Sequence, residues 1–188
     1  MNSGTAVVLD NVAVDRTVRR LAHEIVEFHD GVADVVLVGI QKGGALLTKQ
    51  LIREISNIED TPVKWGTLDI TLHRDDLGLA GLPSAPLGSE LPDIDNRIVV
   101  LVDDVLFTGR SVRAALDAIN YLGRPKAVRL AVLVDRGHRE LPIRADIVGK
   151  NIPTAMGDEI QISELDQRID SVLLRPVSYT HLTLPTKA

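Results

Sequence analysis

The chain contains no cysteine among its 188 residues, so disulfide bridges, thiolate catalysis and cysteine-ligated metals are all excluded. Aromatic residues make up only 3%, too few for base stacking on aromatic platforms to be the main mode of nucleic acid recognition. No apolar run approaches the roughly 20 residues that cross a bilayer. The N-terminus MNSGTAVVLD also lacks the basic and then apolar segments of a secretory signal. A cytoplasmic location with no membrane partner is therefore expected. Excess positive charge is missing too: the formal net charge is −5, whereas wholesale attraction to a polyanion needs clustered cations. What is present, 45% hydrophobic and 25% charged residues, describes one soluble globular domain with enough chain for a proper core.

Hydrophobic periodicity divides that chain into alternating strands and helices. Ala6 to Leu9 is a short apolar strand. Val14, Val18, Leu21, Ile25 and Phe28 then recur at helical spacing, which predicts an amphipathic helix from Asn11 to His29. Val35 to Ile40 is a buried strand, and after a break at Gln41 to Gly44 a helix carries Leu46, Leu47, Leu51, Ile52 and Ile55 inward. Val63 to Leu72 alternates as a strand does. From His73 to Asn96 the chain becomes rich in Gly, Pro, Ser and acids with little periodicity, as a functional lid would be. Ala127 to Val134 is a further strand, and Ile147, Ile160, Ile162 and Val172 to Leu174 mark shorter ones. An α/β fold with a mainly parallel central sheet, flanked by helices and joined by right-handed crossovers, follows from that order.

The most informative segment is VVLVDDVLFTGRS, from Val99 to Ser111. The strand Ile98 to Val102 runs into Asp103 and Asp104. Thr108, Gly109, Arg110 and Ser111 then open a helix with Val112, Ala115, Leu116, Ile119 and Leu122 on its apolar side and Gly123 as its stop. Ligands of open α/β sheets bind at the carboxyl ends of the strands. The loop amides and helix N-terminus suit a phosphate. Two carboxylates would repel that phosphate, so they suit sugar hydroxyls or a hydrated Mg²⁺. Acids for a diol and amides for a phosphate make a ribose 5-phosphate site. A receiver domain also has acids at strand ends, but spread over separate strands and with no need of a Thr-Gly-Arg-Ser loop.

These residues resemble the signature with which type I phosphoribosyltransferases bind phosphoribosyl pyrophosphate (PRPP). Four more segments, RRLAHEIVE from Arg19, VGIQKGGALL from Val38, GTLDITLHRDDL from Gly66 and LAVLVDRGHRELPIRADIVGKNIPT from Leu130, narrow the resemblance. They are similar to the PyrR family of bifunctional pyrimidine operon attenuators and uracil phosphoribosyltransferases, over nearly everything from Ala6 to about Val172.

The resemblance implies the type I phosphoribosyltransferase fold, with a flexible lid and a small hood, and the reaction of uracil with PRPP to give UMP and pyrophosphate. It makes Asp103, Asp104 and Arg74 the catalytic residues. PRPP would be held by Lys42, Gly43, Gly44, Asp103, Asp104, Val105, Leu106, Phe107, Thr108, Gly109, Arg110 and Ser111. Uracil would meet Val134, Arg136, Gly137 and His138, mostly through backbone groups. The cofactor would be Mg²⁺, held by Asp103 and Asp104 mostly through PRPP and water. Where many members read Thr-Arg-Gly, this chain reads Lys42-Gly43-Gly44, so a guanidinium expected beside the pyrophosphate is missing and Lys42 offers a point charge instead.

A second implied function is UMP-dependent binding to the leader mRNA of pyrimidine operons, through Arg19, Arg20, His23, His138, Arg139, Arg144 and Lys150. Assembly into a homo-oligomer, a dimer or larger, is implied as well. Two other functions fit the same residues: a UMP-sensing RNA-binding regulator with little catalysis, and a phosphoribosyltransferase for another base. The final stretch VSYTHLTLPTKA, from Val177, is similar to a translated transposase adapter used in preparing DNA sequencing libraries. Residues 1–176 are accordingly expected to form the phosphoribosyltransferase domain, and 177–188 a non-native tail.

Overall fold

The computed structural model describes residues 4–70 and 89–177. Of the lid expected from His73 to Asn96, residues 73–88, with Arg74, Asp75 and Asp76, lie outside the described residues, as does the tail beyond Val177; in the remainder Glu90 bridges to Thr67 and Ile94 is buried. Strand β1 (Ala6–Leu9) leads into helix α1 (Asn11–His29). Asp10 caps that helix, its carboxylate accepting from the Ala13 N–H at 2.8 Å, and Asp30 ends it in a left-handed conformation at φ 53°. Then come β2 (Val35–Ile40), α2 (Gly43–Ile55), β3 (Lys64–Leu68), β4 (Ile98–Leu106), α3 (Arg110–Leu122), β5 (Ala127–Asp135), β6 (Ile147–Asn151), β7 (Glu159–Leu165) and β8 (Arg168–Arg175).

Five strands form one parallel sheet in the order β3-β2-β4-β5-β6. Both of its faces are covered, as the unbroken apolar runs of β2, β4 and β5 require. On one face α1 and α2 bury Val14, Leu21, Ile25, Leu47 and Leu51 against Leu37, Val100 and Leu133. On the other, α3 buries Val112, Ala115 and Ile119 against Val99, Leu101 and Val132. The expected hood is a three-stranded antiparallel sheet, β1-β8-β7, which draws on both ends of the chain. The buried Gln50 amide fastens it to α2, donating to Ile169 O at 3.2 Å and accepting from Ile169 N at 2.9 Å.

Several expectations are corrected. The strand expected to stop at Val102 continues to Leu106, because β4 goes on pairing with β5 (Asp103 with Val132, Leu106 with Asp135) after its pairing with β2 has ended at Gly39 and Val102. Phe28 and Leu122 follow the apolar spacing of their helices but are 52% and 38% exposed. Each lies in the last turn, and Phe28 is instead covered by the Arg129 guanidinium, 5.5 Å from its ring centre. The alternating stretch from Val63 to Leu72 is a strand only over Lys64–Leu68 among the described residues.

Candidate active site

The acid pair sits where β4 outruns its neighbour β2. Asp103 is 7% exposed, and its Oδ1 accepts from the Asp104 N–H at 3.0 Å, while Asp104 Oδ1 accepts from the Val105 N–H at 2.8 Å. Burial first, and the neighbouring Asp104 charge second, push the Asp103 carboxyl well above the usual carboxylate range. Two acids held this close in a dry place call for a cation or for hydroxyl donors.

Against them packs the first turn of α2. A Cβ on Gly43 would lie 1.9 Å from Asp104 Oδ2, and one on Gly44 would lie 2.2 Å from the Val102 carbonyl oxygen. These glycines therefore do more than expose amides to a pyrophosphate: Gly44 lets the helix approach the β4 backbone, and Gly43 leaves the Asp104 side chain its place. Lys42, exposed, precedes this turn.

The other side of the acids opens into a cavity of about 170 Å³, bounded by Asp103 and residues 105–112. Gly109, at φ 94°, precedes α3 and brings no side-chain cap of its own; the Arg110 N–H donates to Thr108 Oγ1 at 3.4 Å, and the helix N-terminus as a whole favours an anion. Of the PRPP candidates, Leu106 is 1% exposed and its carbonyl accepts from Arg136 N at 3.1 Å, which leaves it a supporting residue. The Arg110 guanidinium is bound to Glu140 at 2.6 and 2.8 Å. Ser111 stands in the first turn of α3, half-buried.

Beyond Phe107 lies a wider cleft of about 480 Å³, lined by residues 135–138 and 151–154. Val134, a uracil candidate, does not line it: the residue is fully buried and is paired with Val105 on one side and Lys150 on the other. Arg136 is buried beneath the cleft, with its guanidinium over the Phe107 ring. Gly137, at φ 79°, donates its N–H to Asp135 Oδ1 at 2.9 Å. His138 Nε2–H donates to Thr154 O at 2.6 Å, a partner that only accepts, so the ring is anchored to the opposite wall. Asn151, Ile152, Pro153 and Thr154 were not among the expected contacts. Their signal was the end of β6, which in a parallel sheet delivers its following loop to the same edge as β5.

The RNA candidates do not gather on one face. Arg19 is paired with Glu54 at 3.2 Å. Arg20 binds Glu24 and reaches across to the carbonyls of Val148, at 3.3 Å, and Gly149 on β6. Arg139 is turned inward: it donates to Phe107 O at 2.8 Å, Gly137 O at 3.1 Å and Ile143 O at 3.0 Å, and it is paired with Asp135. It braces the loop and is not an open cationic contact. His23, Arg144 and Lys150 are exposed. His23 and Lys150 belong to α1 and the neighbouring β6, whereas Arg144 follows Ile143 on the face covered by α3.

A parallel sheet with an acid pair, a Thr-Gly helix start and a neighbouring base-sized cleft defines a phosphoribosyltransferase, and the family model for the phosphoribosyl transferase domain matches residues 5–164. The chain belongs to that family and, within it, to PyrR. It is 54% identical over 168 residues to the bifunctional protein PyrR of Bacillus cereus strain AH820, covering 87% of this chain and 93% of the relative. It is 50% identical over 174 residues to that of Roseiflexus sp. strain RS-1, covering 91% and 95%. Among solved structures, a hypoxanthine-guanine phosphoribosyltransferase from Bacillus anthracis superposes with a TM-score of 0.67 over 89% of this chain and 95% of its own, at 20% identity, a likeness of fold.

Proposed function

We propose that this site transfers the 5-phosphoribosyl group of PRPP to uracil, forming UMP and releasing pyrophosphate. The observation that carries the reading is the position of Asp103 and Asp104: between the amide-lined cavity of residues 105–112 and the Gly43–Gly44 turn, with the base cleft next door. Phosphate, ribose, pyrophosphate and base then each have a distinct place. The Asp103 and Asp104 carboxylates accept from the ribose hydroxyls, the first-turn amides of α3 hold the 5-phosphate, and backbone groups of Asp135 to His138 orient uracil. Displacement at the anomeric carbon builds positive charge on the ribose, which these carboxylates stabilise, and negative charge on the pyrophosphate, which Lys42 and Arg74 would meet.

Burial first and the Asp104 charge second raise the Asp103 pKa; a divalent cation held by Asp103 and Asp104 would favour the ionised pair, and one or two carboxylates with substrate oxygens are the donor set that Mg²⁺ favours. Among the described residues no group of three or more His, Asp or Glu could enclose a metal, which fits a cation shared with PRPP and water. Such an ion would neutralise the leaving pyrophosphate.

Release of pyrophosphate from PRPP tests the reaction. Turnover should require uracil and fall at least about a hundredfold in Asp104→Asn, the scale of losing a transition-state contact. Turnover equal to that of the variant would overturn the enzyme reading.

The same protein is proposed to bind pyrimidine leader mRNA when UMP is bound, as a homo-oligomer in the cytoplasm. Support comes from the exposed His23 and Lys150 on adjoining elements, beside Arg20. No helix among the described residues is long and apolar enough to cross a membrane. Lys150→Ala is expected to weaken hairpin binding and to lower the slope of log affinity against log salt by about one. An unchanged slope would remove this lysine from the RNA face.

A further inference from the structure

The cavity read as the phosphate site and the cleft read as the base site are joined by the β4–β5 pairing, by Arg139, and by the buried side chain of Arg136, which also reaches the segment after β6. Arg136 is 6% exposed. Its guanidinium lies 4.0 Å from the centre of the Phe107 ring, which belongs to the phosphate side. Its Nε–H donates to Thr154 Oγ1 at 3.1 Å and its Nη2–H to Ala155 O at 3.1 Å, both in the segment after β6. One rigid planar group thus touches the loop after β4, the end of β5 and the segment after β6. Burial lowers the guanidinium's affinity for its proton, with the Asp158 charge opposing. A cation kept in such a place acts by geometry: the flat face packs on an aromatic ring while the edge donates, which an ammonium cannot do.

We propose that Arg136 is a positioning residue that clamps Phe107 to the Thr154–Ala155 segment and thereby sets the spacing between base cleft and phosphate cavity. Each half-site also has supports other than the Arg136 side chain, although Arg136 is among the residues that line the cleft. The amides of α3 hold an anion whatever the position of the cleft, and the backbone of residues 135–138 is fixed by its own bonds, including Gly137 N–H to Asp135 Oδ1. What the clamp supplies is simultaneous occupancy: a nucleoside monophosphate reaches both ends only when their separation matches its length. The gain is that of linking two weak ligands at the correct span. This inference rests on the proposed assignment of the two cavities to base and 5-phosphate.

The test is calorimetric binding of UMP, uridine and ribose 5-phosphate to the full chain and its variants. The unaltered protein should bind UMP more tightly than either fragment; failure to do so would overturn the assignment of the two cavities and the clamp with it. Arg136→Lys and Phe107→Leu should each weaken UMP at least about tenfold more than they weaken uridine or ribose 5-phosphate. The double variant should be no weaker than the more affected single one, because both remove the same contact. Fragments weakened as much as UMP, unchanged UMP binding, or additive losses would overturn the proposal. Thr154→Val removes the two hydrogen bonds of Thr154 Oγ1 with Arg136, from its Nε–H at 3.1 Å and to its carbonyl at 3.4 Å, while keeping cation and ring, so it tests the clamp even if Arg136→Lys fails to fold. It should shift UMP in the same direction by a smaller factor. If Arg136 contacts uracil directly, Arg136→Lys alone weakens uridine and Thr154→Val leaves UMP unchanged, which also overturns the proposal.

Discussion

Replacing Asp103 with asparagine is expected to lower kcat/KM for uracil by at least about a hundredfold, or ~2.7 kcal/mol of transition-state stabilisation, while making the ligand-free chain more stable at neutral pH. The two effects have one cause. Asp103 is 7% exposed beside a second carboxylate, and burial and that neighbour raise its pKa well above the ordinary value. A carboxyl whose pKa is raised by folding contributes stability that is complete below the unfolded value, about 3.9. That contribution is lost as pH climbs through the higher folded value. Asparagine does not titrate, so its advantage should be small in acid and grow towards pH 7, to about 1–3 kcal/mol, the scale of an under-satisfied buried polar group. Thermal melts of the free protein between pH 4 and 8 measure it. An advantage independent of pH, or a variant less stable at pH 7, would contradict the assignment. With PRPP and Mg²⁺ added the order should reverse, because a ligand stabilises only the form that binds it.

Gly43→Ala is expected to raise the KM for PRPP at least about tenfold with little loss of stability, and Gly44→Ala to do the opposite. The added Cβ at 43 would stand 1.9 Å from Asp104 Oδ2, a side-chain atom that can swing away. The chain survives the change by displacing one of the two carboxylates proposed to hold the ribose. At 44 the obstacle is the Val102 carbonyl oxygen, 2.2 Å away. It belongs to the central strand of the sheet, so α2 must lift from β4 at a cost of about 1–3 kcal/mol, as overpacking does. PRPP-dependent initial rates and urea unfolding of both variants separate the two outcomes. Equal KM changes, or a stable Gly44→Ala chain, would show that the turn is looser than its contacts imply. The same geometry bears on the family's usual Thr-Arg-Gly at this turn. An arginine at 43 needs a different placement of Asp104, so Lys42-Gly43-Gly44 is a change in how acid and turn meet as well as a missing guanidinium.

Much of the fold was legible along the chain. β1, α1 and β2 have the expected bounds, because an amphipathic helix with an Asp cap and continuous β-branched runs are local properties. The helix ends were less legible. Spacing put Phe28 and Leu122 inside, but spacing does not say how far the sheet extends beneath a helix, and both last turns leave them exposed. The acid pair was identified by its neighbours in sequence. That it lies within β4, and not after it, depends on β5 being longer than β2. The family resemblance makes Arg139 a contact for RNA, yet its partners include the Phe107 carbonyl, 32 residues away. No charge pattern along the chain records such a bond.

By itself the sequence determined the class of the protein and the chemistry of its central motif, since a strand, two acids, a Thr-Gly turn and a helix start are contiguous in the chain. The tertiary structure decided which cations are spent internally, why residues 43 and 44 are glycine, and which residues wall the base cleft. It also decided that Arg136 lies between Phe107 and the Thr154–Ala155 segment. Those outcomes depend on close approach between segments far apart in the chain, such as Gly43 against Asp104 and Arg136 between Phe107 and Thr154, and only packing of the sheet and its loops sets such distances.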